Sequence, residues 1–128
     1  MPGEEPLKVT LAKVKDLLGC EVIWGEGLLD TTVEVGCSAD LMSDLLAYAK
    51  PGGLLLTGLI NPQSVRTADI TEMKGIVYVR GKKPDADSIR LAKEKNIPLL
   101  STELLMYEAC GRLYLAGLKG CPPNRRGT

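Results

Sequence analysis

The sequence predicts an α/β domain of three layers, α/β/α, around a mostly parallel central sheet. Three observations carry that expectation. From residue 53 onward, short apolar runs of strand length alternate with helix-length segments in the order β-α-β-α-β-α. Those runs are apolar throughout rather than at every second position, which marks strands buried on both faces. Such strands need helices above and below a parallel sheet, joined by right-handed crossovers. Finally, 128 residues suffice for one domain of ordinary size.

Each element has its own local argument. Leu7, Leu11, Val14 and Leu18 recur at intervals of 4, 3 and 4, with Lys8, Lys13, Lys15 and Asp16 outside the stripe. A first helix is therefore expected over 7–18, stopped by Gly19. Residues 20–24 read as a short strand, and Gly25, Glu26 and Gly27 as a turn. The β-branched stretch 31–35 reads as a second strand. Ser38 or Asp40 is placed to cap a helix that ends at Lys50, Pro51 and Gly52. Residues 53–57 form the next strand. Asn61 followed by Pro62 opens a helix through about Met73, with Asn as cap and Pro at the first helical position.

Residues 75–79 are a buried strand closed by Arg80, Gly81, Lys82 and Lys83. The helix over 84–95 carries Asp85 and Asp87 in its first turn and Lys93 and Lys95 in its last, as the helix dipole favours. Residues 97–100 are a strand with Pro98 near its start or on an edge. Ser101, Thr102 and Glu103 open the last helix, which runs to about Gly117. The expectation is a single domain over 1–118 followed by a flexible tail over 119–128.

Composition narrows the function. Apolar residues make up 45% and charged residues 25%, and with no Phe and one Trp the core must be aliphatic. Lys plus Arg equals Asp plus Glu at 16 each, so no basic excess points to nucleic acid as a partner. There is no apolar leader and no window approaching 18 apolar residues, so a cytoplasmic chain without a membrane partner is expected. The four cysteines, Cys20, Cys37, Cys110 and Cys121, are separated by 17, 73 and 11 residues and contain no close pair. They are read as free thiols used as small apolar residues, with no metal site and no cofactor. The absence of His removes the commonest general base and every Ser-His or Cys-His nucleophile pair.

Several segments in order carry a family resemblance. They are Gly27-Leu28-Leu29-Asp30-Thr31-Thr32-Val33, Ser38-Ala39-Asp40-Leu41-Met42-Ser43-Asp44, Lys50-Pro51-Gly52-Gly53, Gly81-Lys82-Lys83-Pro84-Asp85 and Ile97-Pro98-Leu99-Leu100-Ser101-Thr102. Together, over about residues 7–118, they are similar to DRTGG domains. Such domains occur beside CBS domains in some inorganic pyrophosphatases, and they resemble the N-terminal domain of HPr kinase/phosphorylase. The resemblance implies an α/β fold like that domain and a regulatory or oligomerising role. The family's Asp-Arg pair stands here as Asp30-Thr31, and its later glycine pair is represented by Gly36 alone. A kinase is not expected, because no Gly-x-x-x-x-Gly-Lys-Ser/Thr loop occurs anywhere in the chain.

In a parallel sheet, ligands bind beyond the carboxyl ends of strands. That rule selects Thr57 and Asn61 after the strand at 53–57, Arg80 and Lys82 after 75–79, and Ser101 and Thr102 after 97–100, a set that can gather around a nucleotide or other phosphorylated metabolite. Asn61, Ser101 and Thr102 equally serve as helix caps, and residues 80–83 equally serve as a solvated turn. Asp30, Asp40 and Asp44 make no paired-carboxylate site.

The last helix is apolar on two sides. Leu105, Ala109, Leu113 and Ala116 form one stripe, and Leu104, Tyr107, Gly111, Tyr114 and Leu118 form another. The second stripe is expected to meet a second copy of the chain. The sequence therefore supports a non-catalytic regulatory or interaction module acting as a homodimer, open to a protein partner. Its alternative is a sensor of a small phosphorylated ligand.

Overall fold

The computed structural model describes residues 8–122. Its strands are β1 (Val9–Thr10), β2 (Glu21–Trp24), β3 (Thr32–Val33), β4 (Gly36–Ser38), β5 (Leu54–Thr57), β6 (Gly75–Tyr78) and β7 (Leu99–Ser101). Its helices are α1 (Leu11–Leu18), α2 (Met42–Tyr48), α3 (Pro62–Ile70), α4 (Ala86–Lys95) and α5 (Met106–Leu115), with a 3-10 turn over Glu26–Leu28. The main sheet has the order β2-β7-β6-β5-β4. Strands β4, β5, β6 and β7 run parallel, and β2 is antiparallel to β7.

The period of two along each buried strand divides the core. Leu54, Leu56, Val77, Val79 and Leu100 face α1 and α5. Leu55, Ile76, Tyr78 and Leu99 face α2, α3 and α4. Both faces are covered, so the three-layer architecture and the mostly parallel sheet are as the apolar runs require.

Local chemistry accounts for most helix ends. The Thr10 hydroxyl accepts from the Lys13 amide at 3.1 Å, the Asn61 side chain from the Gln63 amide at 3.0 Å, and the Asp85 carboxylate from the Ser88 amide at 2.8 Å. At the end of α5 the Leu118 amide reaches the Leu113 carbonyl and the Gly117 amide reaches that of Tyr114, each at 3.0 Å. This is a Schellman closure. Gly117 has φ 109°, a left-handed backbone that glycine adopts freely.

Several boundaries differ from the sequence reading. The first helix begins at Leu11, because Val9–Thr10 pairs with Thr32–Val33 in a separate two-stranded sheet; Leu7 lies outside the described residues. The strand expected over 31–35 divides, its front joining β1 and the chain re-entering the main sheet at Gly36. Neither Ser38 nor Asp40 caps α2: Ser38 ends β4, and the helix starts after Leu41 without a side-chain cap. Ser101 and Thr102 do not open the last helix. Ser101 is the final residue of β7, and α5 starts only at Met106.

The reading of all four cysteines as free thiols is corrected as well. Cys37 and Cys121 are paired, with Cα atoms 6.1 Å apart across 84 residues of sequence, while Cys20 and Cys110 are free. Of the expected tail, Lys119–Pro122 is described and 123–128 is not. Lys119 accepts from the Gly36 amide at 2.8 Å, and Gly120 bridges Gly36 in parallel, so this stretch runs along β4.

Candidate functional site

The carboxyl ends of β4, β5 and β6 converge on one cluster. Beyond β5, the Gly58 amide donates to Asp40 Oδ1 at 2.7 Å, and the Thr57 hydroxyl donates to the same oxygen at 3.3 Å. Arg80 Nη2 lies 3.6 Å from Asp40 Oδ2. A side chain at position 58 would meet the Arg80 guanidinium and displace it from its place beside Asp40. Arg80 itself holds a left-handed backbone, φ 61°, and is followed by Gly81 at φ 68°. The turn closes with the Lys82 amide on the Val79 carbonyl at 3.1 Å. It is pinned from behind by the Arg80 and Gly81 amides, each 2.8 Å from the carbonyls of Leu104 and Thr102 respectively. A non-glycine residue in this region costs about 1 kcal/mol, so the pinning must hold Arg80 in place.

The six residues selected from the sequence do not form one site. Thr57 and Arg80 belong to the Asp40 cluster. Asn61 is occupied as the cap of α3. The Ser101 hydroxyl donates to the Lys82 carbonyl at 2.7 Å, and the Thr102 hydroxyl donates to the Leu18 carbonyl at 2.7 Å while accepting from the Leu104 amide at 3.2 Å. Both are buried and serve as struts between loops. Lys82 is exposed beside them.

Opposite charges accompany the cations here. Arg80 faces Asp40, Lys83 Nζ is 2.9 Å from Glu21 Oε1, and the Glu103 carboxylate lies over Gly81. The pairing of Asp40 with Gly58 was not read from the sequence, because the two are 18 residues apart. A small apolar cavity, about 150 Å³, lies elsewhere, between α5 and β4, where Leu56, Cys110, Leu113 and Tyr114 line it.

Among the described residues, three groups have clearly shifted proton affinities. Burial pushes the Cys20 thiol up to about 12 against the pull of Lys15. Burial likewise pushes Tyr78 up to about 12, with the Ser64 hydrogen bond opposing and Asp85 adding. The bonds from Ser88 hold the Asp85 carboxyl below its usual range. Raised thiol and phenol values disfavour the nucleophilic anions.

The second surface is α5. Ala109 and Leu113 face the core, whereas Tyr107 is 91% exposed, Leu115 89%, Leu105 64% and Tyr114 56%. Of the five residues expected at an interface, Tyr107, Gly111 and Tyr114 face outward. Leu104 is half-buried against the core, and Leu118 is buried at 3%, because the Schellman turn swings it back under the helix.

No protein-family model matches the chain, and no curated protein does. A solved structure matches: the CBS and DRTGG domains of the regulatory region of Clostridium perfringens pyrophosphatase, complexed with the activator diadenosine tetraphosphate. The TM-score is 0.66 at 18% identity, over 91% of this chain and 51% of that one. The fold is DRTGG-like. The chain thus spans about half the length of the structure it matches, and at this identity the likeness concerns the fold. Within the DRTGG-like fold, the Asp40 cluster sits at the parallel strand ends, and α5 presents its outer face to solvent. Among the described residues, no group of three or more His, Cys, Asp or Glu side chains is placed to hold a metal, and no helix is long and apolar enough to cross a membrane.

Proposed function

We propose that this chain is a cytoplasmic regulatory module that acts as a homodimer and carries no reaction of its own. The observation that carries the reading is the outer face of α5, where Tyr107 and Leu115 stand almost fully exposed on a helix whose other side is core. Large apolar side chains left exposed together on one helix of a small domain favour a contact with another protein. The absence of His and the raised Cys20 and Tyr78 values support a non-catalytic role. The DRTGG-like fold supports a regulatory one, since the matched structure belongs to the regulatory region of a pyrophosphatase. Sedimentation in the micromolar range tests the reading: a dimer is expected, and a monomer at every concentration would remove it.

A second reading has its own support. The matched regulatory region was crystallised with diadenosine tetraphosphate, and in this chain Arg80, Lys82 and the Gly58 amide stand at the strand ends where such anions bind. On this reading Asp40 occupies the Gly58 amide until a phosphate displaces it. A thermal-melt screen with nucleotides and dinucleoside polyphosphates tests it. A ligand at 100 times its dissociation constant adds about 2.7 kcal/mol, which raises the midpoint of a chain this size by roughly 10 °C. The double variant Arg80→Ala, Lys82→Ala should lose the shift. A flat screen leaves the dimeric interaction module alone in place.

A further inference from the structure

Gly111 sits in the middle of α5, exposed, in a helix where glycine is the least favoured residue after proline. Its backbone is ordinary right-handed helix, so φ does not call for glycine. A Cβ built there meets nothing within 4 Å, so no neighbour in the chain calls for it either. Four residues before it is Tyr107 and four after it is Leu115, the two most exposed large apolar side chains described. Tyr107, Gly111 and Leu115 therefore form one i±4 ridge, large-small-large, with an open notch at its centre.

We infer that α5 crosses the α5 of a second copy at Gly111, antiparallel, about a two-fold axis that passes between the two Gly111 residues. The inference rests on the homodimer reading and adds its geometry. The ridge is self-complementary about its centre: reversing the helix brings Tyr107 to the level of the partner's Leu115, twice over. Glu108 and Arg112, bonded at 3.2 Å beside the ridge, lie before and after Gly111. The same reversal brings Glu108 of each copy to within two residues, about 3 Å along the axis, of the level of the partner's Arg112. Ridge-in-groove packing of i±4 rows crosses at about −50° with helix axes roughly 8–10 Å apart. The notch left by glycine permits the closer end of that range. Tyr107 and Leu115 are 91% and 89% exposed on this ridge, large apolar side chains of the kind that anchor a standard interface of ~800 Å² per partner. With a formal net charge of zero, two copies approach without overall repulsion. The exposed side chains of α2, such as Leu46 and Tyr48, lie on a seven-residue helix and show no such symmetry.

At an axial separation of 8–10 Å, helix radii of about 2.3 Å leave facing Cα atoms roughly 4–5 Å apart, within disulfide range. The test is Gly111→Cys in a Cys110→Ser background of the full chain, oxidised mildly, with Lys93→Cys in the same background as a control on the outer face of α4. Sedimentation of the parent and of Gly111→Leu runs alongside. The proposal expects a dimeric parent, near-complete cross-linking at 111 with none at 93, and at least a tenfold weaker dimer for Gly111→Leu. The leucine adds helix propensity in open space, so its fold is confirmed by a melt no lower than that of the parent at high dilution. A dimeric parent with no cross-link at 111 and an unaffected Gly111→Leu would overturn the crossing while leaving the homodimer intact. A monomeric parent would overturn both.

Discussion

Tyr78 heads the fully buried side chains in volume, and its hydroxyl has one buried partner, the Ser64 hydroxyl at 3.0 Å. Ser64 in turn donates to the Asn61 carbonyl at 2.9 Å, so the pair ties β6 to the first turn of α3. Tyr78→Phe should cost about 1 kcal/mol at neutral pH, because Ser64 keeps its second bond and is not left unpaired. Alkali should expose the buried ionisable groups. Cys20 and Tyr78 hold their protons more tightly folded than unfolded, with values near 12 against the ordinary 9.0 and 10.0. Their contribution is complete below those ordinary values and is lost as pH rises toward 12, on the order of 2–3 kcal/mol for Tyr78. Urea unfolding from pH 8 to 12 checks this prediction: the parent should weaken steadily, and Tyr78→Phe should show a shallower fall above pH 10. Asp85 runs the other way, its lowered value making α4 weaken as pH falls through the carboxylate range. Asp85 was read in the first turn of its helix rather than as its cap, whereas the capping role of Asn61 was legible in the sequence. Asp40 was not, since its partners lie on another strand end.

At the scale of elements, α5 separates core from surface. Leu113 is 3% exposed and packs with Leu56 and Val14, so Leu113→Ala should cost about 2–5 kcal/mol in equilibrium unfolding. Tyr107→Ala should leave the isolated chain within about 0.5 kcal/mol of the parent. Its expected signature is different: the parent's melting midpoint should rise with protein concentration, as for any associating fold, and that of Tyr107→Ala should stay flat. The periodicity of α5 was readable, but its register was not. Leu104 and Leu105 precede the first helical turn, and Leu118 follows a left-handed glycine, so none of the three obeys the 3.6-residue period assumed for it.

For the whole molecule, the Cys37–Cys121 pair closes most of the chain into one loop by fastening the segment after α5 to the edge strand β4. A loop of 84 residues is worth roughly 4.5 kcal/mol in the chain-entropy account of cross-links. Cys121→Ser should therefore lower the melting midpoint of oxidised protein and leave dithiothreitol-treated protein unchanged, which calorimetry with and without reductant would measure. Equal melts of oxidised parent and variant would show that the pairing adds no stability.

By itself the sequence determined the layer architecture, the order of the strands and helices from residue 53, and the cap of α3. Those features depend on periodicity and on groups within a turn of one another. Tertiary structure alone decided which polar groups meet. Asp40 takes the Gly58 amide across 18 residues, Ser101 takes Lys82 across 19, and Thr102 takes Leu18 across 84. Hydroxyls that read as helix caps became struts, because strand ends far apart in the chain bring buried carbonyls within reach, and a buried carbonyl must find a donor.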